Sequence, residues 1–302
     1  MSKSFQHFLV ALAAVTCFAL SSALAHGQAV ASCTFKLFQL PTGTSFQANG
    51  VNDYSTLVGQ VFPAAGSSAP AKAFIHYSGG SDSYFSAPNA ATTSMLARNN
   101  SGVSVGFYST QGSTSNISKG FILQGSTFTS FAHPNAVWGT QMAGINKYNS
   151  VVGWYLDSGE FAHGFKRYSN GGLATINYPS AQSTYAIGIN DSGTIVGFYS
   201  NPDEHGFIYH NGQWATLDYP NTTGTELYGI SNSGVIIGLD HSLEQGRAFL
   251  YENGTFKVID VPDSYYTHAL GISPGGIITG VARVNASNAN NGVLDGFTAK
   301  CK

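Results

Sequence analysis

The chain has 302 residues, with 13 Lys and Arg, 15 Asp and Glu, and a formal net charge of −2. Charged residues make up only 9% of it and form no basic run, which argues against nucleic acid and anionic membrane surfaces as partners. Its 36 glycines are typical of a β-protein with many tight turns.

The first 25 residues have the pattern of a secretory signal peptide. A single cation, Lys3, precedes an apolar run from 8 to 20 and a small-residue site at 23 to 25. This run is shorter than the roughly 20 residues that span a bilayer, and we expect no membrane span elsewhere. The sequence therefore predicts export, to the extracellular space or periplasm, of one monomeric domain covering residues 26–302.

One approximate pattern then occurs six times: roughly Gly-Ile-Asn-x-x-Gly-x-Ile-Val-Gly, a polar loop, Gly-Phe-x-Tyr-x-x-Gly, and a short run ending in Pro. Its Phe recurs every 42 to 48 residues, a period that is typical of propellers and other repeat folds. The six copies of this Phe are Phe74, Phe121, Phe165, Phe207, Phe249 and Phe297.

Each copy reads as two β-hairpins. The first turn begins with Asn or Ser and usually ends with Gly, as in 190–193, which indicates a type I turn closed by a left-handed residue. The second turn is often Asn-Gly, as in 211–212. Four strands per copy match a propeller blade, so the sequence predicts an all-β fold, a six-bladed β-propeller of four-stranded blades.

The two ends of the chain complement each other. Residues 34–41 match 255–262, the fourth strand of the fifth copy, whereas the sixth copy stops after its third strand. We therefore expect the N-terminal strand to complete the last blade and close the ring. Cys33 and Cys301 then fall where other copies have the Asn-Gly turn, which predicts a disulfide that stabilises the fold by about 4 to 5 kcal/mol.

The second hairpin resembles the extracellular repeat family called HAF, named for His-Ala-Phe. The matching triplets are 72–74, 119–121, 163–165, 205–207, 247–249 and 295–297. All six keep the Phe, and His163 and His205 keep the first letter, but no copy has all three letters. The resemblance implies export and repetition, and no particular activity.

Residues shared by all copies serve packing or turns, so departures from the repeat are the better functional candidates. One variable position lies three residues before the small residue of each first strand. Its occupants are Gln47, Ser94, Gln141, Tyr185, Glu226 and His268. We expect this ring to surround the mouth of the central channel, where variable loops also meet.

Glu226 and His268 come from neighbouring copies and are the candidate catalytic pair, since a carboxylate beside an imidazole can exchange protons. The alternative is a hydrogen-bonded pair that lines a wet channel. Gln47, Gln141 and Tyr185 join them as candidate ligand-binding residues.

Aromatic residues near the loops are further candidates for ligand binding. Tyr155, Tyr199 and Trp138 would offer flat faces to sugar rings, or would simply pad the blades. The His and Cys spacing does not indicate a metal site, and no loop indicates a cofactor.

Three functions fit this pattern. The favoured one is a secreted binding module for a polysaccharide or a cell-surface partner, whether glycan or protein. The alternatives are a glycan-active hydrolase or lyase at the channel mouth, and a structural extracellular protein without a small ligand. Binding is favoured over catalysis because the ring shows no second acid to work with Glu226.

Overall fold

The computed structural model describes residues 29–40, 45–63, 67–110, 117–243, 245–284 and 294–302. The predicted leader, with Cys17, lies outside these residues. The described part contains 24 β-strands and no helix, and therefore no helix that could cross a membrane.

The strands form six units in chain order. Unit 1 is β2 (Phe46–Val51), β3 (Leu57–Val61), β4 (Lys72–His76) and β5 (Asp82–Phe85); unit 2 is β6 (Ala90–Arg98), β7 (Val103–Thr110), β8 (Ser118–Gln124) and β9 (Thr127–Phe131). Unit 3 is β10 (Gly139–Ile145), β11 (Val151–Leu156), β12 (Ala162–Arg167) and β13 (Leu173–Ile176); unit 4 is β14 (Ser183–Ile189), β15 (Ile195–Ser200), β16 (Glu204–His210) and β17 (Gln213–Thr216). Unit 5 is β18 (Thr225–Ile230), β19 (Ile236–Asp240), β20 (Arg247–Glu252) and β21 (Thr255–Val258); unit 6 is β22 (Ser264–Ile272), β23 (Ile278–Val284) and β24 (Asp295–Cys301), with β1 (Cys33–Phe38).

The predicted all-β, propeller-like arrangement is confirmed, but the prediction of six separate blades is wrong. The structure has four separate four-stranded sheets, and units 2 and 3 form one eight-stranded sheet. One parallel pair, Gly139 with Ser118, joins β10 to β8. Gly139 has a φ of 151°, and a Cβ there would lie 2.6 Å from the Ser118 hydroxyl oxygen, so only glycine allows this approach.

The first-hairpin turns have the predicted geometry. Their last residue has a positive φ in every unit, as a closing left-handed residue requires. These residues are Ser55, Gly102, Asn149, Gly193, Gly234 and Gly276.

The Asn residues that open these turns also link neighbouring units. Each Asn oxygen accepts a backbone N–H four residues ahead, at 3.0 to 3.1 Å. The Asn99 amide donates to the Asn146 carbonyl, and Asn146 donates to Asn190, both at 3.1 Å. Asn190 donates to the carbonyl of Ser231, whose own hydroxyl caps its turn. This run of buried amides holds one end of the units together.

The core lies between the sheets, and the repeated Phe is fully buried in all six units. The first strands approach one another closely near the centre: a Cβ at Gly188 would lie 2.8 Å from the Cα of Gly229 in the next unit. The repeated residues are therefore scaffold, as the sequence predicts.

The two ends of the chain pair in the predicted register. β1 runs antiparallel to β24, Cys33 faces Cys301, and the two residues form a disulfide. Units 1 and 6 are in contact, since Asp53 Oδ1 accepts the Gly275 N–H at 2.7 Å. Closure of the whole ring of sheets stays a prediction.

Candidate functional site

Three ionisable side chains converge where unit 4 meets unit 5. Glu204 is the first residue of β16, Glu226 lies in β18, and His241 directly follows β19. A parallel bridge pairs Glu204 with Gly224, and the His241 N–H donates to the Gly224 carbonyl at 3.0 Å. The start of β18 therefore holds residues from both units in one place.

The two carboxylates flank the imidazole. His241 Nε2 is 3.6 Å from Glu226 Oε1 and 3.8 Å from Glu204 Oε2. Glu226 is only 3% exposed, and the Tyr228 hydroxyl donates to its Oε2. We call Glu204, Glu226 and His241 the acid–imidazole cluster.

The cluster shifts the titration of its neighbours. Burial opposes protonation of His241, but Glu226, Glu204 and Asp240 together raise its pKa. Burial and then the charge of Glu226 raise the pKa of Tyr228 well above its usual value. At neutral pH, Tyr228 is therefore a neutral hydrogen-bond donor to Glu226.

Asp240, which precedes His241, belongs to a separate ion pair. It is fully buried and accepts hydrogen bonds from the Ser242 N–H and hydroxyl, at 2.9 and 2.7 Å. Arg247 Nε lies 3.7 Å from Oδ2 of the Asp240 carboxylate. Arg247 therefore balances Asp240 and leaves the cluster with two carboxylates and one imidazole.

The structure pairs Glu226 with His241 and not with His268, the predicted partner. His268 Nε2 donates to the Gln245 carbonyl at 2.7 Å. Burial lowers the pKa of His268, and the nearby His241 lowers it further, so the ring is neutral. His268 therefore lies near the cluster, but its Nε2 bonds to the Gln245 carbonyl and not to Glu226.

The other predicted residues of the ring do not join the cluster. Tyr185 stacks on Phe198 at 4.5 Å, and burial, followed by the charge of Glu204, raises its pKa to about 12. Gln47 and Gln141 lie in β2 and β10, in other units. Of the six residues at the predicted ring position, Glu226 is therefore the one that belongs to the acid–imidazole cluster.

Two of the three predicted sugar platforms have both ring faces covered. Tyr155 lies between His133, at 3.9 Å, and His163, at 5.1 Å. Tyr199 lies between Tyr178, at 3.7 Å, and His205, at 5.2 Å, as ring-centroid distances. Each tyrosine is less than 10% exposed, so neither offers a face to a sugar. Both tyrosines instead fill space between strands, which is the alternative interpretation given for these residues in the sequence.

Trp138 is different, because it is 38% exposed. Its indole N–H donates to the Ser158 carbonyl at 3.4 Å, which ties one edge of the ring to the protein. Trp138 therefore keeps surface that a ligand could contact.

A cleft of about 250 Å³ opens beside Glu204. Most of the residues that line it have polar side chains, and they include a His205–Asp218 pair with a 2.8 Å separation. The lining residues are Asp203, Glu204, His205, Asp218, Tyr219, Asn221, Thr222, Thr223 and Gly224.

The sequence analysis missed Glu204, His241 and Tyr228, although the rule of departures from the repeat would have found them. At the position of Glu204 the other copies have no charge, as the residues Ala71, Ser118, Ala162, Gly246 and Leu294 show. At the position of His241 they have Phe62, Ser109, Leu156, Ser200 and Arg283. Glu226 lies at a variable position of a first strand, whereas Glu204 begins a third strand and His241 directly follows a second strand.

Comparison with known proteins establishes the fold and no family. No protein-family profile matches the chain, and no curated protein matches its sequence. Among solved structures, it resembles the β-propeller domain of the Trilobed protease from Pyrococcus furiosus, with a TM-score of 0.51, 10% identity, and coverage of 87% of this chain and 96% of that one. The fold is that of a β-propeller.

Two other solved structures with a similar fold are proteins of different kinds. A catalytically inactive virginiamycin B lyase from Staphylococcus aureus, with quinupristin, gives a TM-score of 0.51 at 10% identity, covering 89% of this chain and 99% of that one. TolB from Acinetobacter baumannii gives 0.53 at 12% identity, covering 82% and 65%. At these identities the likeness concerns the fold alone.

Proposed function

We propose that this chain is an exported β-propeller that binds a neutral, hydroxyl-rich ligand, such as a polysaccharide or a cell-surface glycan. The observation that carries the proposal is the polar cleft at the boundary of units 4 and 5. Carboxylates, an amide and hydroxyls line it, and these groups donate to and accept from sugar hydroxyls. Concave sites with a few converging polar groups are the usual places for small ligands.

The proposal includes the architecture that presents this cleft. In this architecture, β1 with its disulfide closes the ring of sheets. Support comes from the β1–β24 pairing and from the Asp53–Gly275 contact between the first and last units. Export and membership of the HAF-type repeats are part of the same proposal, and a disulfide fits an oxidising compartment.

Removing side chains from the cleft should weaken glycan binding. The test is a glycan array, with pull-downs on cellulose, chitin and peptidoglycan, of the wild type and of Asn221→Gly with Thr222→Ala. Asn221 has a φ of 58°, so glycine keeps the turn while the amide is lost. We expect binding to at least one glycan, weakened about tenfold or more by the loss of two hydrogen-bonding groups.

The matched control is Asn253→Gly, which removes the same side chain from a turn with a φ of 49° in unit 5, away from the cleft. It should bind as the wild type does. Trp138→Ala is a further arm, because that ring is the one exposed aromatic among the predicted platforms. The proposal would be contradicted if the wild type bound no glycan, or if the cleft variant bound glycans as strongly as the wild type does.

A glycan-active hydrolase or lyase is the second candidate, and one observation favours it. Glu204 is a second acid near Glu226, and both carboxylates lie within 4 Å of His241 Nε2. Two carboxylates that face a bound sugar can divide acid and base roles. Burial of Glu226 and exposure of Glu204 to the cleft would give them different environments.

For this candidate, Glu226→Gln should abolish release of reducing or unsaturated sugar ends while the melting temperature stays near that of the wild type. The control is Glu252→Gln, at the end of β20, where the carboxylate pairs with Lys257 at 3.5 Å. Full turnover by Glu226→Gln, or no turnover by the wild type on any polysaccharide, would reject the enzyme.

A further inference from the structure

We infer that Glu204, Glu226 and His241 form a binding site for a divalent transition-metal ion, with Zn²⁺ as the probe of choice. The inference rests on the geometry of the cluster and does not require the cleft to bind a glycan. Each residue offers one ligand atom, and the three atoms lie within 4.8 Å of one another.

The spacing of these atoms suits an ion better than direct hydrogen bonds. The two separations from His241 Nε2, 3.6 and 3.8 Å, exceed the roughly 2.7 to 3.2 Å of an N–H···O bond. Around a tetrahedral Zn²⁺, bonds of about 2.0 to 2.2 Å place neighbouring ligand atoms roughly 3.4 Å apart. The two distances to His241 Nε2 would shorten by a few tenths of an ångström on coordination. The two carboxylate oxygens, which lie within 4.8 Å of each other, would approach by up to about 1.4 Å, a movement that rotation of a glutamate side chain allows.

The donor types select the kind of ion. Imidazole nitrogen suits Zn²⁺ and its neighbours in the first transition row, whereas Ca²⁺ takes oxygen ligands and six to eight of them. Open zinc sites have three protein ligands, drawn from imidazole, carboxylate and thiolate groups, and a fourth position that faces solvent or substrate. Here two carboxylates and one imidazole would be the three ligands. The cleft beside Glu204 supplies that open side.

Charge around the cluster also favours a cation. Glu226 is almost fully buried, and its carboxylate shares the site with that of Glu204. Arg247 is engaged with Asp240, and His268 Nε2 donates to the Gln245 carbonyl. Two carboxylates thus face one imidazole, and a divalent ion would compensate both of them.

Tyr228 acts as a positioning residue for this site. Its hydroxyl donates to Glu226 Oε2, while Oε1 is the oxygen that lies towards His241. Such outer hydrogen bonds fix a ligand's orientation, and their removal typically costs about 10- to 100-fold in metal affinity.

The test is isothermal titration of ZnCl₂ into the full exported protein after chelation and desalting. We expect one saturable site in the wild type, lost in His241→Ala and weakened about tenfold or more in Glu204→Gln. Tyr228→Phe should keep the site but weaken it about 10- to 100-fold. Glu204 lies at the edge of the cleft, so Glu204→Gln stays informative even if a change at buried Glu226 prevents folding.

The matched control is Asp157→Asn, which removes a carboxylate 2.9 Å from His163 in unit 3. It should bind Zn²⁺ as the wild type does. The inference would be overturned by a wild type with no saturable binding, by affinity unchanged in both Glu204→Gln and His241→Ala, by loss of binding in the control, or by Ca²⁺ binding where Zn²⁺ does not. Because no saccharide is present, these outcomes are independent of glycan binding.

Discussion

Replacement of Cys33 and Cys301 by alanine should lower the free energy of unfolding by roughly 4 to 5 kcal/mol. The bond spans a sequence separation of 268, so it restricts nearly the whole unfolded chain, and the chain-entropy estimate grows with loop length. Denaturant unfolding of the double variant beside the oxidised and the reduced wild type measures the effect.

Local opening near the two ends should precede global unfolding, because β1 is the edge strand of its sheet. Its Phe35 ring packs edge-on against Phe297 at 5.7 Å, so some pairing persists without the bond. We expect faster hydrogen exchange first at 33–38 and 296–301. The reduced wild type serves as the control, since it should match the double variant. A change below about 1 kcal/mol, the size of an ordinary substitution, would mean that the disulfide does not stabilise the fold.

Phe207→Ala should destabilise the protein by about 3 to 5 kcal/mol. The side chain is fully buried and packs edge-on against Trp214, with ring centroids 5.1 Å apart. Truncation leaves a cavity that the rigid sheets on either side cannot fill. For a domain of this size, the melting temperature should fall by roughly 2 to 4 °C for each kcal/mol.

The matched control for that experiment is Phe161→Ala, the same change at a ring that is 45% exposed. It should shift stability by no more than about 0.5 kcal/mol, as surface substitutions usually do. Equal effects of the two variants would show that the repeated Phe is not the core residue of its unit.

Much of the fold follows from local chemistry that the sequence displays. The Asn or Ser and the left-handed residue of each turn define the hairpins. Residues 34–41 are recognisable as a displaced fourth strand because their sequence matches 255–262. The fusion of units 2 and 3 could not be predicted in this way. It depends on how closely Gly139 approaches Ser118, a contact between segments that no local pattern specifies.

The candidate site was only partly predictable for the same reason. Glu226 is recognisable as a departure at its own strand position. Its neighbour Glu204 belongs to unit 4, and His241 follows another strand of unit 5, so only the folded chain brings the three together. For Tyr155 and Tyr199, alternation alone could not show that His133 and Tyr178 cover their outer faces. Departures from a repeat have to be compared across all strand positions.

The positions shared by the six copies form the scaffold, and we propose that glycan recognition occurs at the boundary of units 4 and 5. Hydrogen exchange of the exported protein, with and without the glycan that the array retains, tests it most directly. The account predicts slower exchange at 203–206, 218–226 and 240–242, with the other units unchanged. Slower exchange confined to units 1 to 3 would contradict it.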